Sequence, residues 1–463
     1  MHYLSESPAV WYDEGFYMQT AANLASFGRE GIQVAPGVLL PASTYVTVGY
    51  PVIAPVAAAY FFFGQSVLVG RTVMVLFLVG FLISAYVLIR RLFGVVPAFA
   101  ATLLLATFPV LYGNGKAVLG EVPGLFFVVL TLLVLLSLER HTWQGVGRYA
   151  ALGFFASLAI VTKPIYLLLL PAVFIGILIY GRGFFKHYLG IVVGSVTFLA
   201  PFVLWIVLQF GFTFSFKTVL SFYANPYFIE DLSRTIIENL LRFITEISPL
   251  YLFLLLSVWG VSLFLRRRKL SATECAAAIF TLLILAFYLR TPGWYRYFFQ
   301  AQVMALMFFP AALSLIAKHV RTRLPRFLGL PSAAFLKLLC INVIALLPLF
   351  QAYQLAFHSY VATYYRATRT AELSTYFEVL PQDKTLFVYN APETVVFFKT
   401  RAYYQYIAPH PEQLIGEEEL SVLSAGTADV VITGDAAYRE NPELFNAYVL
   451  AEIINRYVIL TRK

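Results

Sequence analysis

The sequence is short of charge. Asp, Glu, Lys and Arg make up 12% of its 463 residues, against 60% that are hydrophobic, whereas soluble domains average about 25% charged residues. That scarcity excludes an ordinary soluble protein and leaves a polytopic membrane protein with some water-facing mass. Cysteine is almost missing. Cys275 and Cys340 each sit in an apolar run, with no CxxC or Cys/His cluster, which argues against a disulfide framework and a cysteine-built metal site. Acids are scarcer than bases, 24 against 33, for a net charge of +9. The surplus base does not point to nucleic acid, because it falls in short loops between apolar runs, where it orders topology. No phosphate-binding glycine pattern is present; "GDAAYRENPE" at 434–443 lacks the spacing. No internal repeat relates two halves.

What is there is a series of apolar runs. A spanning helix needs roughly 20 such residues, and runs lie near 69–89, 97–113, 118–138, 149–162, 165–181, 187–210, 248–265, 273–289, 297–317 and 332–353. The expectation is therefore about ten spans. "TKP" at 162–164 breaks the fourth from the fifth, as Pro164 would. Basic loops at 90–91, 139–148, 181–187, 266–269 and 318–326 then fall on alternate sides of successive spans, which makes them all cytoplasmic. The opposite side receives residues 1–68, 112–121, 211–247, 290–297 and everything after 354. No signal peptide or spanning run comes before this polar start, so a further N-terminal helix in the native gene is expected.

Residues 15–27 read as an amphipathic helix on the outer surface, with Phe16, Thr20, Leu24 and Phe27 at near-helical spacing and Gly28 as its stop. Residues 52–63 read as a second interfacial helix. After about 354 the pattern changes: "KTLFVYN" (384–390), "ADVVITG" (428–434) and "YVILTRK" (457–463) read as strands and "PETVVFFKT" (392–400) as a helix. Alternating strands and helices imply a small α/β unit. The expected division is 1–68 as an outer first loop, 69–353 as the spanning bundle and 354–463 as an outer domain.

The informative charges are those on the outer side that topology does not explain: the acidic pair Asp13 and Glu14, Glu121 in "LGEVPG", Lys163 between two short helices, and Arg290 and Arg296 around "TPGWY". Ionisable groups at a membrane are expensive and tend to mark function. Each also has a plainer reading. The acids suit helix N-termini, Lys163 suits snorkelling, and Arg296 suits a headgroup contact. Their confinement to one end of one bundle favours a site.

The ordered set "WYDEGFY" (11–17), "GYP" (49–51), "FG…GR" (63–71), "GEVPG" (120–124), "ASLAIVTKP" (156–164) and "WYRYFFQA" (294–301) resembles the C-type glycosyltransferase superfamily, in particular its protein O-mannosyltransferase and aminoarabinose-transferase-like branch. The resemblance covers most of the membrane part, and the tail matches only in position and α/β character. It implies a GT-C-like bundle in the plasma membrane with its catalytic face outward. It also implies transfer of a hexosyl or pentosyl group from a polyprenyl-phosphate donor to a hydroxyl of a lipid, glycan or protein acceptor; a single displacement would invert the anomeric centre. In that reading Asp13 is the base, with Glu14 and Glu121 as further catalytic acids. Lys163 and Arg296 neutralise the leaving phosphate, and Tyr12, Trp294, Tyr295 and Tyr297 stack on sugar or acceptor. Aromatic residues also crowd membrane interfaces without binding anything. No cofactor is demanded; a divalent cation, Mg²⁺ or Mn²⁺, held by Asp13 and Glu121 is an open alternative. The loop 211–247, carrying Lys217, Glu230, Asp231, Arg234, Glu238 and Arg242, reads as a lid or as a solvated amphipathic segment. Two rival classes are a secondary transporter of a polar or anionic solute, which would hold its charges nearer the midplane, and a non-catalytic scaffold.

Overall fold

The computed structural model describes residues 4–41, 46–210, 229–323, 333–358, 368–410 and 413–463. Helix α1 (Tyr12–Phe27), a hairpin of β1 (Ile32–Ala35) and β2 (Val38–Leu40), and α2 (Tyr50–Phe63) precede the bundle. The bundle begins with α3 (Val67–Phe93), α4 (Val95–Thr107), α5 (Pro109–Lys116), α6 (Glu121–Arg140) and α7 (Val146–Thr162). A 3-10 turn, Pro164–Leu168, runs into α8 (Leu169–Tyr180) and then α9 (Tyr188–Phe210). It continues with α10 (Leu232–Thr245), α11 (Ile247–Leu265), α12 (Ala272–Leu289), α13 (Phe299–Arg323) and α14 (Ala333–Tyr353).

Among the described residues six helices are long and apolar enough to cross a membrane, or seven if α4 and α5, bent by 66°, form one span. The sequence suggested about ten. Two of the expected spans fall on short helices: α7 stops at Thr162, Lys163 is extended (φ −159°, ψ 133°), and Pro164 opens a new turn before α8, while the side chains at the start of α14 are outside the described residues. Small residues let the spans approach closely. A Cβ on Gly153 of α7 would lie 1.9 Å from the carbonyl oxygen of Gly194 in α9, so any larger residue would push the two apart.

One end of the bundle gathers the basic loops. The Arg140 guanidinium donates to the Arg91 carbonyl. The Glu139 carboxylate accepts from the Ala272 amide at 3.0 Å, Arg266 pairs with Glu274 at 2.7 Å, and the Tyr180 hydroxyl donates to the Arg267 carbonyl at 2.8 Å. Four loops separated widely in sequence thus meet, as the charge pattern requires. The opposite end carries Asp13, Glu121, Lys163 and Arg296.

The tail forms α15 (Thr368–Val379), β3 (Leu386–Tyr389), β4 (Tyr403–His410), β5 (Gln413–Ile415), α16 (Leu420–Ser424), β6 (Val430–Gly434), α17 (Asp435–Glu440), β7 (Tyr448–Ile454) and β8 (Tyr457–Arg462). They make one six-stranded sheet in the order β5-β4-β3-β6-β8-β7. Its centre, β4-β3-β6, is parallel, with Val388 opposite both Gln405 and Ile432, and its outer pairings are antiparallel. The three strands read from sequence are there. "PETVVFFKT" is a 3-10 turn over Pro392–Phe397 rather than an α-helix.

Helix α1 is not a surface helix. Residues Glu14 to Asn23 are all buried, because α2 covers one side and the turn Pro392–Phe397 the other. Gly15 makes the second contact possible: a Cβ there would stand 2.4 Å from the Glu393 Cα. Gln19 of α1 then donates to the Tyr403 hydroxyl at 2.8 Å, so the sheet unit is fastened to the first helix by polar bonds in a buried seam. Gly28 ends the helix as expected, with φ 68° and its amide donating to Leu24 at 3.0 Å. Helix α2 ends in Phe61, Phe62 and Phe63, each more than 70% exposed, which suits a lipid-facing position.

Candidate active site

The two neighbouring acids have opposite surroundings. Glu14 is wholly buried, and both of its oxygens are occupied. Arg71 of α3 donates from Nε at 2.9 Å and from Nη2 at 2.7 Å, and the amides of Val118 and Trp11 add bonds of 2.9 and 3.3 Å. Arg71 is equally buried and reaches the Leu4 carbonyl with Nη1 at 3.1 Å. This geometry gives Glu14 a load in the fold and no access to a reactant, which departs from its expected place among the catalytic acids. One residue earlier on the helix, Asp13 points about 100° away. It meets Arg296 at 2.8 Å, and both side chains remain a little over one-quarter exposed.

Asp13 and Arg296 lie on the wall of a cavity of about 640 Å³. Trp11, Tyr12, Trp294 and Tyr295 supply its aromatic surface, and Arg242 and Arg456 add two further cations. The size suits a ligand headgroup, for which pockets run from about 300 to 1,000 Å³. Arg296 is held by its surroundings: Nη2 donates to the Tyr297 hydroxyl at 3.0 Å, and the guanidinium lies 5.4 and 5.1 Å from the Trp294 and Tyr297 ring centres. Its Nε is buried with no hydrogen-bond partner. Burial alone would pull its pKa down, but Asp13, Tyr297 and Glu121 outweigh that and raise it, so the cation is permanent. Tyr12 is pushed up by burial and by the carboxylates of Glu393 and Asp13, so its phenol stays protonated.

Glu121 and Lys163 come together as expected of outer-end charges, but as an ion pair off the cavity wall. Lys163 donates to Glu121 Oε1, and their side chains are only 13% and 3% exposed. The second Glu121 oxygen is buried without a partner. The Tyr166 hydroxyl donates to the Glu121 carbonyl, which ties the start of α6 to the turn after Lys163. Tyr297 stacks on Trp294 with ring centres 5.8 Å apart and is itself largely buried, so it supports the wall from behind. The acids suggested for a metal each face a cation, Asp13 with Arg296 and Glu121 with Lys163. Among the described residues no group of three or more His, Cys, Asp or Glu side chains is placed to hold a metal ion. The arrangement does not supply the oxygen-rich shell that Mg²⁺ or Mn²⁺ requires.

Sequence reasoning did not single out Trp11, Arg242 or Arg456 as wall residues. Arg242 lies on α10, in the loop read as a lid or solvated segment; Lys217 of that loop is outside the described residues. Arg456 sits at the turn between β7 and β8, where Asn455 takes a positive φ of 57°. Its guanidinium pairs with Glu393 at 2.5 Å and lies 5.1 Å from the Tyr457 ring centre. The sheet unit thus contributes a cation to a cavity otherwise made by the first loop and the bundle.

Residues 51–207 match the family described as dolichyl-phosphate-mannose-protein mannosyltransferase. No curated protein matches the sequence. Among solved structures the chain is similar to ArnT from Cupriavidus metallidurans bound to undecaprenyl phosphate, at a TM-score of 0.65 and 16% identity, over 99% of this chain and 94% of that one. The apo state of ArnT gives 0.62 at 15% identity over the same shares. The archaeal oligosaccharyltransferase AglB from Archaeoglobus fulgidus, in complex with an inhibitory peptide and a dolichol-phosphate, gives 0.54 at 14% identity over 95% and 67%. Matched in fold over nearly its whole length, the chain has the C-type membrane glycosyltransferase fold of the ArnT kind.

Proposed function

We propose that the protein transfers a sugar from a polyprenyl-phosphate donor to an acceptor hydroxyl at the end of the bundle that carries Asp13 and Arg296, with inversion at the anomeric carbon. The observation that carries this is the pair Asp13–Arg296 on the wall of a cavity at the end of the bundle away from the basic loops. It sets a carboxylate that can take a proton beside a cation that can receive a phosphate. The acceptor oxygen bonds to the anomeric carbon as the carbon–oxygen bond to phosphate breaks. The electron pair leaves with the phosphate, and the acceptor proton passes to Asp13. Arg296, joined by Arg242 and Arg456, stabilises the charge that grows on the leaving group. Trp11, Tyr12, Trp294 and Tyr295 offer rings for sugar or acceptor, while Tyr297 braces Arg296. Lys163 acts through Glu121, fixing the helix break at the base of the site, and Glu14 acts through Arg71, fixing α1. The similarity to ArnT, solved with undecaprenyl phosphate, and to AglB, solved with a dolichol-phosphate and with a peptide, supports a lipid-phosphate donor. The acceptor is a lipid, a glycan or a protein.

The test is transfer of label from radiolabelled polyprenyl-phosphate sugars to membrane acceptors by the purified protein. Asp13→Asn abolishes transfer with the fold intact; full activity in that variant rejects the base assignment, and a product of retained configuration rejects single displacement. Label moving across sealed vesicles without covalent transfer would favour the transporter, which nothing in the fold supports. The division at 68 and 353 and the placement are part of the same proposal: plasma membrane, with cavity and terminal domain extracytoplasmic. It rests on the basic loops meeting at the other end. In a chain with Cys275 and Cys340 replaced, a membrane-impermeant maleimide applied to intact cells labels Glu417→Cys and spares Gln144→Cys. The reverse pattern inverts the topology.

A further inference from the structure

Helix α10 has two faces with different tasks. Ile237, Leu240, Leu241 and Ile244 are 58, 51, 50 and 68% exposed. At about 100° per residue they share one arc of the helix. Asn239 and Arg242 lie roughly opposite. Asn239 is 2% exposed, and its amide nitrogen donates to the carbonyls of Thr291 at 2.9 Å and Leu289 at 3.1 Å. Arg242 Nη1 donates to the Gly293 carbonyl at 2.6 Å. Gly293 has a φ of 81°, and a Cβ there would meet Arg242 Nη1 at 2.3 Å and Asn239 Oδ1 at 2.6 Å. The helix therefore grips, through backbone carbonyls, the segment Leu289–Gly293 that leads directly into Trp294 and Arg296.

We propose that α10 lies in the bilayer interface and that Asn239 is a positioning residue through which the lipid surface fixes the Arg296 segment. Lipid is the occupant of the apolar arc for three reasons. The helix is separated from the spanning helix α11 by Glu246 alone. Trp294 and Tyr295, directly after the gripped segment, are also exposed, as are Phe61–Phe63 at the end of α2. Of its three charged side chains, Arg242 faces the gripped segment, and Arg234 and Glu238 pair with one another on the flank at 2.8 Å instead of interrupting the arc. An amphipathic helix of this form partitions into the headgroup boundary with its apolar face down. Leaving the bilayer would free the helix to tilt, and the bonds from Asn239 and Arg242 would carry that displacement to Arg296. The inference rests on the role given to Arg296 above.

Two measurements on the full chain test it. In a Cys275→Ala, Cys340→Ala background, nitroxides are placed at Leu241→Cys and Glu238→Cys in phosphatidylcholine vesicles. The label at 241 collides more with oxygen than with a water-soluble nickel chelate, and the label at 238 shows the reverse. A label at 241 that favours nickel, or that is shielded from both because another part of the chain or a second copy covers it, overturns the placement. Binding of polyprenyl monophosphate is then compared in vesicles and in detergent micelles. The wild type binds about tenfold more weakly in micelles, and Asn239→Ala is weak in both, losing the difference between media. Equal wild-type affinity in the two media, or an Asn239→Ala variant that keeps the difference, overturns the coupling. If Arg296→Ala binds polyprenyl phosphate as the wild type does, the functional reading falls instead, and the spin-label pattern still decides where the helix lies.

Discussion

Neutralising the two adjacent acids one at a time should separate catalysis from folding. Asp13→Asn removes a carboxylate whose ion-pair partner, Arg296, is itself partly exposed. Such a pair contributes about 0–1 kcal/mol to stability, so the thermal midpoint should hardly move. Transfer should fall by about 10²–10⁴-fold, the usual contribution of a positioned base, equivalent to about 3–5 kcal/mol in the barrier. Glu14→Gln has the reverse profile. It leaves Arg71, wholly buried, without its counter-charge, and turns an amide nitrogen toward a guanidinium that can only donate. Breaking a buried pair on one side costs about 3–5 kcal/mol, so the midpoint should drop markedly. The molecules that remain folded should retain turnover far above the Asp13→Asn level. The assay is thermal unfolding of each variant in the same vesicles, with transfer measured per folded molecule. Loss of transfer per folded molecule in Glu14→Gln with an unchanged midpoint, or a large midpoint drop in Asp13→Asn with full transfer, would refute the assignment of roles.

Three further outcomes follow from particular contacts. Gly15→Ala places a methyl against the Glu393 backbone and should cost about 1–3 kcal/mol as overpacking, seen as a lower midpoint and faster proteolysis of the terminal sheet unit. Burial lifts the Glu30 carboxyl from 4.5 to about 7. Because its folded pKa is raised, its stabilising effect is full below pH 4.5 and is lost as pH rises through about 7; Glu30→Gln should therefore flatten the fall in midpoint between pH 5 and pH 8. Lys163→Met leaves Glu121 buried and unpaired, and should lower both stability and transfer; Lys163→Met with Glu121→Gln should recover stability, because the unpaired charge is gone.

The sequence made the bundle legible because hydropathy and loop charge are each set by a single solvent boundary. The four basic loops that meet at one end and the break at Lys163 could be read for that reason; the fifth, 318–326, lies largely outside the described residues. It could not tell Asp13 from Glu14, since adjacent residues share every property of composition; only the helix phase of α1 and the position of Arg71 separate them. The surface reading of residues 15–27 failed for a related reason. Phe16, Thr20, Leu24 and Phe27 describe one face, while the burial of Gln19 and Asn23 depends on hydrogen bonds to the sheet unit and the hairpin, more than seven residues away in sequence. Arg456 was invisible because its cavity position comes from the reversal at Asn455. A local signal for Arg242 existed: it is the one base in "NLLRFIT", on the face opposite an apolar arc.

The sheet unit supplies a wall residue of the candidate cavity. Arg456 reaches the cavity only if β7 and β8 are docked. Docking depends on the approach of α1 at Gly15 and on the bonds from Gln19, both within two turns of Asp13. The same short helix therefore aims the base inward on one side and carries the terminal unit on another. A ligand that engaged both Arg296 and Arg456 would tie the bundle to the sheet across α1, so occupancy should protect the seam between them. Hydrogen exchange at β3 and at the turn Pro392–Phe397 should slow when polyprenyl phosphate is bound to the wild type. It should not slow in Arg456→Ala, where binding through Arg296 no longer reaches the sheet unit. Equal protection in both proteins would mean that Arg456 stands at the cavity without touching what fills it.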